Sequence, residues 1–384
     1  MMNRKRKARI ANLIGKIFII LLFLVMIINV IVPDREESEL ENRALEQRPR
    51  FNLTTILSGD FMEQWEKYLS DQFAGRDTWR SLKVSLDRLG GARKENDIYI
   101  GKDGQLMEDI EVPDDGRLEA NLTAIRDFAE TYEDIPVTMM LVPDAACILN
   151  DSLPAFARVE DQRQMFSMAE RKLGDTVNWV DTVSILNNHK SEKLYYKTDH
   201  HWTTQGAFYV FQDAAETLGI EGDVSDDFVS YTVTDSFNGV LAASSGVGLD
   251  EMEEIDIYAP TGGDDDVVVN YVDEGRKTTS LYDSSKLETR DKYGVFLGGN
   301  TSVVDIRTVF TSQKRLLVVK DSFADCFIPF LAPYYREIVV VDPRYYSGTM
   351  QDIMDSYRIT DALILYSGNT FFTDNNISGV FTGE

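Results

Sequence analysis

Apolar positions follow different periods in successive parts of the chain. From Ile10 to Val32 the run is broken by a single charge, Lys16, and about 20 apolar residues suffice to cross a bilayer as a helix. Glu36-Glu37-Ser38-Glu39-Leu40-Glu41-Asn42-Arg43 follows with no core pattern and reads as a stalk. Between Gly59 and Leu89 the spacing of Phe61, Trp65, Leu69, Phe73, Trp79, Leu82 and Leu86 is helical. Asp71-Gln72-Phe73-Ala74-Gly75-Arg76 interrupts it, which predicts two helices or a kinked one. Tyr99–Leu106 predicts a hairpin with glycine at its turn.

Beyond this the pattern alternates. Helices are predicted over Leu118–Tyr132, Asp161–Leu173 and Gly206–Leu218, the last with Thr203 as N-cap. Strands are predicted over Ile135–Val142, Val177–Val180, Arg315–Lys320, Ile338–Val341 and Ala362–Tyr366. The later ones are continuous apolar runs of the kind buried parallel strands show. The expectation is an α/β sandwich with a mostly parallel sheet. Residues 224–305 break the rhythm with Phe228–Val233, Val267–Val272 and Tyr293–Leu297 as strand candidates between Gly- and Asp-rich turns, and read as a β-rich insertion. Asp264-Asp265-Asp266 within it lacks the spaced ligands of a calcium loop and reads as a solvated turn. The organisation expected is a head and apolar span over 1–33, a stalk and helical region over 34–115, and the α/β domain over 116–384.

Charge sharpens the picture at the N-terminus. The formal net charge is −25, which argues against nucleic acid as a partner, since phosphate contacts need Lys and Arg. Six basic residues, Arg4 to Lys16, precede the first acid, Asp34, so residues 34–384 carry 33 basic and 64 acidic groups, a charge of −31. A basic head before an apolar span stays cytoplasmic by the positive-inside rule. The exit Val30-Ile31-Val32-Pro33-Asp34-Arg35 has no small-residue cleavage site, so the span reads as an uncleaved single-pass anchor with the C-terminal domain outside the cell. Two cysteines, Cys147 and Cys326, are too few for a disulfide framework or a cysteine-rich metal site.

Two of the three histidines sit in Tyr196-Lys197-Thr198-Asp199-His200-His201-Trp202-Thr203. An imidazole titrates near neutrality and is the usual general base. Asp199 lies two positions from His201, where a carboxylate can hold the ring in one tautomer. The plainer alternative is a structural Asp–His pair under Trp202. The partner nucleophile is Ser322 in Val318-Val319-Lys320-Asp321-Ser322-Phe323, at the C-terminal end of a buried strand, where open α/β sheets place their ligands. Its plainer alternative is a helix cap.

The Asp-Ser after an apolar strand is similar to the Gly-Asp-Ser block of SGNH hydrolases, and Thr198-Asp199-His200-His201-Trp202-Thr203 resembles the signature of the DHHW family, relatives of the alginate O-acetyltransferase accessory proteins. The resemblance extends to Glu41-Asn42-Arg43, Asp71-Gln72-Phe73 with Arg76, Gly101-Lys102-Asp103-Gly104 and Asp342-Pro343-Arg344-Tyr345-Tyr346. It implies an SGNH-like three-layer fold in circularly permuted motif order. Ser322 is then the nucleophile, His201 the base and Asp199 its orienter. Lys320 stands where the ordinary block has Gly. The oxyanion asparagine is Asn369 on this pattern, with Asn300 as rival. The activity implied is acetyl transfer to, or hydrolysis from, a cell-surface polysaccharide, alongside a multispanning membrane acyltransferase and with no cofactor. Two other readings stand beside it. One is a non-catalytic scaffold, and the other is a metal-dependent phosphoesterase, which needs more ligands than His189, the remaining histidine, can add.

Overall fold

The computed structural model describes residues 4–38, 43–247, 252–262 and 266–383. Glu41 and Asn42 of the stalk motif, and Asp264 and Asp265 of the acidic turn, lie outside the described residues. One compact unit comprises Met1–Gly91 with Gly246–Gly248, and the other Ala92–Ser245 with Leu249–Glu384.

In the first unit, α1 (Arg4–Ile31) contains a segment, Asn12–Ile31, long and apolar enough to cross a membrane, with mean hydropathy 2.8. The helical period resolves into α2 (Asp60–Asp71) and α3 (Arg76–Leu89). Gly75 breaks the two, with φ 68°, a left-handed conformation that residues with a Cβ adopt at a cost.

The second unit is built on an eight-stranded sheet. Its strands are β1 (Val137–Val142), β2 (Asn178–Trp179), β3 (Val267–Tyr271), β4 (Arg276–Thr278), β5 (Val303–Thr308), β6 (Arg315–Lys320), β7 (Glu337–Val341) and β8 (Asp361–Ser367). In space they run β4-β3-β5-β7-β6-β8-β1-β2. The five from β7 to β2 are parallel, and β5, β3 and β4 add an antiparallel edge.

Alternate residues of the parallel strands enter two separate cores, because side chains alternate across a strand. Met140, Val318, Val340 and Leu365 pack on one face against Val210 and Phe211 of the helix Thr204–Ala214. Met139, Val319, Val339 and Ile364 pack on the other against Ile125 and Phe166. The fold is therefore a mixed α/β sandwich of three layers. The Thr203 hydroxyl accepts from Gly206 N at 3.1 Å and caps the helix it precedes.

The β-rich stretch differs from expectation in two ways. The strands β3, β4 and β5 of this stretch do not leave the main sheet but extend it, since β5 pairs with β7 from Val303↔Val341 to Arg307↔Glu337. Among the described residues of this stretch, only the hairpin Phe228–Phe237 with Glu253–Pro260 stands as a separate sheet. Tyr293–Leu297 is not a strand: Lys292–Val295 forms a 3-10 turn, and Leu297 has φ 54°. Tyr293, Val295, Phe296 and Leu297 are all buried in one core, so a turn with every side chain inward replaces the alternation a strand would need. Cys147 and Cys326 are free thiols.

Candidate active site

Ser322 lies two positions beyond Lys320, the last residue of β6, and opens a short 3-10 turn. Asp321 fixes that turn. One carboxylate oxygen accepts from Phe323 N at 2.9 Å, and the other accepts from Ser367 N at 2.9 Å and the Ser367 hydroxyl at 2.8 Å. The turn after β6 is thereby tied to the end of β8.

The histidine loop comes from beyond β2. It closes on itself through the Tyr195↔Trp202 bridge and is braced by Glu253, whose carboxylate accepts from Lys197 N, Thr198 N and the Thr198 hydroxyl at 2.6–2.9 Å. Trp202 is fully buried and donates its indole N–H to Phe323 O at 2.9 Å. The tryptophan of the motif thus joins the two loops directly.

Within this frame Asp199, His201 and Ser322 form a hydrogen-bonded chain. Asp199 Oδ1 lies 2.6 Å from His201 Nδ1, and His201 Nε2 lies 2.8 Å from Ser322 Oγ. With Asp199 ionised, Nδ1 carries the proton and Nε2 accepts from the serine hydroxyl. Asp199 Oδ2 accepts from Val240 N at 2.9 Å. Burial alone would raise the Asp199 pKa, but His200, His201 and the Val240 amide outweigh it and hold the carboxyl well below the usual range. Burial, and then the neighbouring His200, push His201 down to about 4, against the upward pull of Asp199. Tyr293 stacks on the His201 ring at 3.7 Å between centroids and 11° between planes. The ring bonded to the serine is that of His201 and not that of His200. His200 Nδ1 is 3.6 Å from Asp199 Oδ1 and has no hydrogen-bond partner.

The two asparagines are engaged differently. Asn369 Oδ1 accepts from Glu111 N at 3.0 Å, and its Nδ2 donates one of two hydrogens to Asp109 O at 2.8 Å. Its backbone N–H donates to Asp144, whose carboxyl is pushed up to about 7 by burial. Asn300 Oδ1 instead accepts from Lys320 Nζ at 2.9 Å. That ammonium, buried where a glycine was expected, also lies 2.7 Å from Asp325 and 3.6 Å from Asp342, which is itself bound by Arg344. Lys320 therefore points under the Ser322 turn and holds it through Asp325.

Asp199, His200 and His201 bring three ligand atoms within 4.8 Å, the one such group found among the described residues. Asp199 and His201 are already bonded to each other, and His201 to Ser322, an arrangement suited to proton transfer rather than to chelation. A cavity of about 310 Å³ lined by Tyr258, Leu281, Tyr282, Thr308, Phe310 and Pro329 opens at the opposite end of the sheet, and no member of the Asp199–His201–Ser322 chain lines it. Sequence reasoning missed Glu253, Tyr293 and the Gly239–Val240 backbone, which come from the β-rich stretch. No sequence signal beyond their lying in that stretch marked them.

A family model described as DHHW protein matches residues 131–341. Among solved structures, a DHHW family protein from Eubacterium siraeum is 22% identical with a TM-score of 0.63, covering 75% of this chain and 94% of its own. Bacillus cereus PatB1, solved with a sulfonyl adduct, is 19% identical with a TM-score of 0.61, covering 74% and 99%. The O-acetyltransferase domain of Pseudomonas putida AlgJ is 15% identical with a TM-score of 0.48, covering 75% and 99%. At these identities the first two establish a shared fold. A sequence comparison with curated proteins finds no match.

Proposed function

Because the chain belongs to the DHHW protein family, we propose that it is a membrane-anchored serine enzyme that moves an acetyl group between oxygens, with a cell-surface polysaccharide as acceptor or substrate. The observation that carries the reading is the chain of contacts from Asp199 through His201 to Ser322, at 2.6 and 2.8 Å. A non-catalytic scaffold has no need of that alignment. α1 supplies the anchor, and the multispanning acyltransferase expected beside it would present the acetyl donor.

In the reaction proposed, His201 Nε2 takes the Ser322 proton as Oγ bonds to the acetyl carbonyl carbon. The carbon–oxygen bond to the donor breaks, and the departing oxygen receives that proton. The acetyl-serine is then attacked by a sugar hydroxyl, whose proton passes to His201 and on to Ser322 Oγ. Water in place of the sugar gives hydrolysis. Asn369 contributes its second Nδ2 hydrogen to the developing oxyanion, and the Ser322 turn contributes a backbone N–H. Bacillus cereus PatB1 accepts a sulfonyl adduct, and the same test applies here. A phenylmethylsulfonyl reagent should add one equivalent to the intact chain, mapped to Ser322 by peptide mass spectrometry. Labelling elsewhere, or none, would contradict the nucleophile assignment.

The buried base sets the pH profile. His201 works only when neutral, and its pKa lies at about 4. kcat/KM should hold from neutrality to about pH 5 and fall below that, whereas an exposed imidazole would begin to fail near about 6.5. Stability follows the same sign: the unfolded chain binds this proton near about 6.5 and the fold only near about 4, so the group's contribution is lost as pH drops through that window. An acid limb centred near 6.5 would show that another ring is the base.

A further inference from the structure

The first unit carries a feature that the proposed chemistry leaves unused. α3 has an exposed apolar stripe of Trp79 (56% exposed), Leu82 (47%), Leu86 (58%) and Leu89 (85%). The intervals of three, four and three place all four on one helix face. The preceding turn adds Phe73, also exposed. Contiguous exposed apolar surface of this kind marks an interaction face.

Its position is fixed by the Asp71-Gln72-Phe73-Ala74-Gly75-Arg76 motif. Gln72 bonds both the N–H and the carbonyl of Arg35, at 2.8 and 2.9 Å, and Arg35 also pairs with Asp77 at 3.2 Å. Asp71 accepts from Glu46 N at 2.9 Å, and the Tyr68 hydroxyl bonds Asp34. Ala74 N donates to Asn29 Oδ1 at 2.8 Å, inside the apolar span itself. Asn29 lies two residues before the end of α1, about 3 Å along the axis at ~1.5 Å per residue. The α2–α3 turn is therefore clamped at the level where the spanning helix leaves the hydrocarbon.

Charge points to the same occupant. α3 carries Arg76, Arg80, Lys83 and Arg88 against Asp77 and Asp87, a net positive helix in a body of charge −31. A basic amphipathic helix with Trp on its apolar face is the composition of a membrane-surface helix. We propose that α3 lies in the outer interface of an anionic bilayer, its Trp79–Leu89 stripe inserted among the lipids. The motif turn would then be a clamp that fixes the angle between anchor and interfacial helix. The inference rests on the reading of α1 as a retained anchor.

The test uses the full chain reconstituted into phosphatidylglycerol–phosphatidylcholine vesicles, with and without brominated acyl chains. The emission due to Trp79 is the difference between wild type and Trp79→Phe, a conservative change at an exposed site. It should drop about two-fold or more in the brominated vesicles and resist acrylamide, as for an interfacial indole. Leu86→Trp in the Trp79→Phe background should report the same depth. Retention of the chain after alkaline carbonate, with Trp79 open to acrylamide and unaffected by bromine, would sink the interfacial helix and leave the anchor standing. Release by carbonate would remove both. Shielding from acrylamide without bromine quenching would assign the stripe to a second copy of the chain, and would also overturn the proposal.

Discussion

Ser322→Ala and His201→Ala are each expected to reduce turnover of a small acetyl ester by about 10³–10⁶-fold, and the double variant scarcely further. In the mechanism proposed the two side chains act as one proton-transfer unit, joined at 2.8 Å. Removing either leaves the other without a task. His200→Ala should cost far less, since that ring does not bond Ser322 and its contact to Asp199 is 3.6 Å. The assay pairs ester turnover with acetylation of the native surface polymer. Substantial activity in Ser322→Ala would end the covalent mechanism. Independent, multiplicative losses in the double variant would mean that His201 serves some other step.

The second large effect is expected from a residue with no functional group. A Cβ added at Gly239 would collide with Asp199 Cβ and with its Oδ2. Contacts so short force the carboxylate to move. Gly239 N also donates to the Thr198 hydroxyl at 2.9 Å, and Val240 N holds Asp199 at 2.9 Å. Gly239→Ala should therefore detach Asp199 from His201, and kcat should fall by about 10²–10⁴-fold, the range for a misplaced or lost orienting carboxylate. KM should change little. The check is kcat together with the low-field imidazole proton resonance that a His201–Asp199 bond produces, which should disappear. A folded Gly239→Ala protein with normal kcat would show that Asp199 is not needed in its present position.

The parts of this molecule that were legible in the sequence are those specified locally. Leu316–Val319, Ile338–Val341 and Ala362–Tyr366 are apolar on both faces, so each announces a strand covered on two sides, and each lies in the sheet. Thr203 and Gly75 mark helix starts by their own chemistry. Asp199, His201 and Ser322 stood out because histidine is rare here and each lies beside an element boundary. What was hidden is non-local. β3 to β5 belong to the main sheet through pairings such as Val304↔Val340, which short strands between Gly- and Asp-rich turns do not reveal. The apolar run at 293–297 gave no sign that all its side chains turn inward. Glu253 and Gly239 serve the histidine loop only because the fold brings them there, and a lone buried Glu or Gly carries no periodic signal.

The order of the strands also bears on how the protein comes into being. β1 emerges early in synthesis, yet 225 positions of chain separate Val137 from Ala362, its partner on β8. At about 5–20 residues per second, roughly 10–45 s pass between the two. Through that interval β1, every residue of which ends up buried, waits with an open edge. Sheets closed by such distant pairings form slowly and lie open to proteases and aggregation meanwhile. Asp321 reaches its Ser367 partner only after a further 46 residues have been made. A polypeptide stalled or clipped before that point lacks the bond that fixes the Ser322 turn.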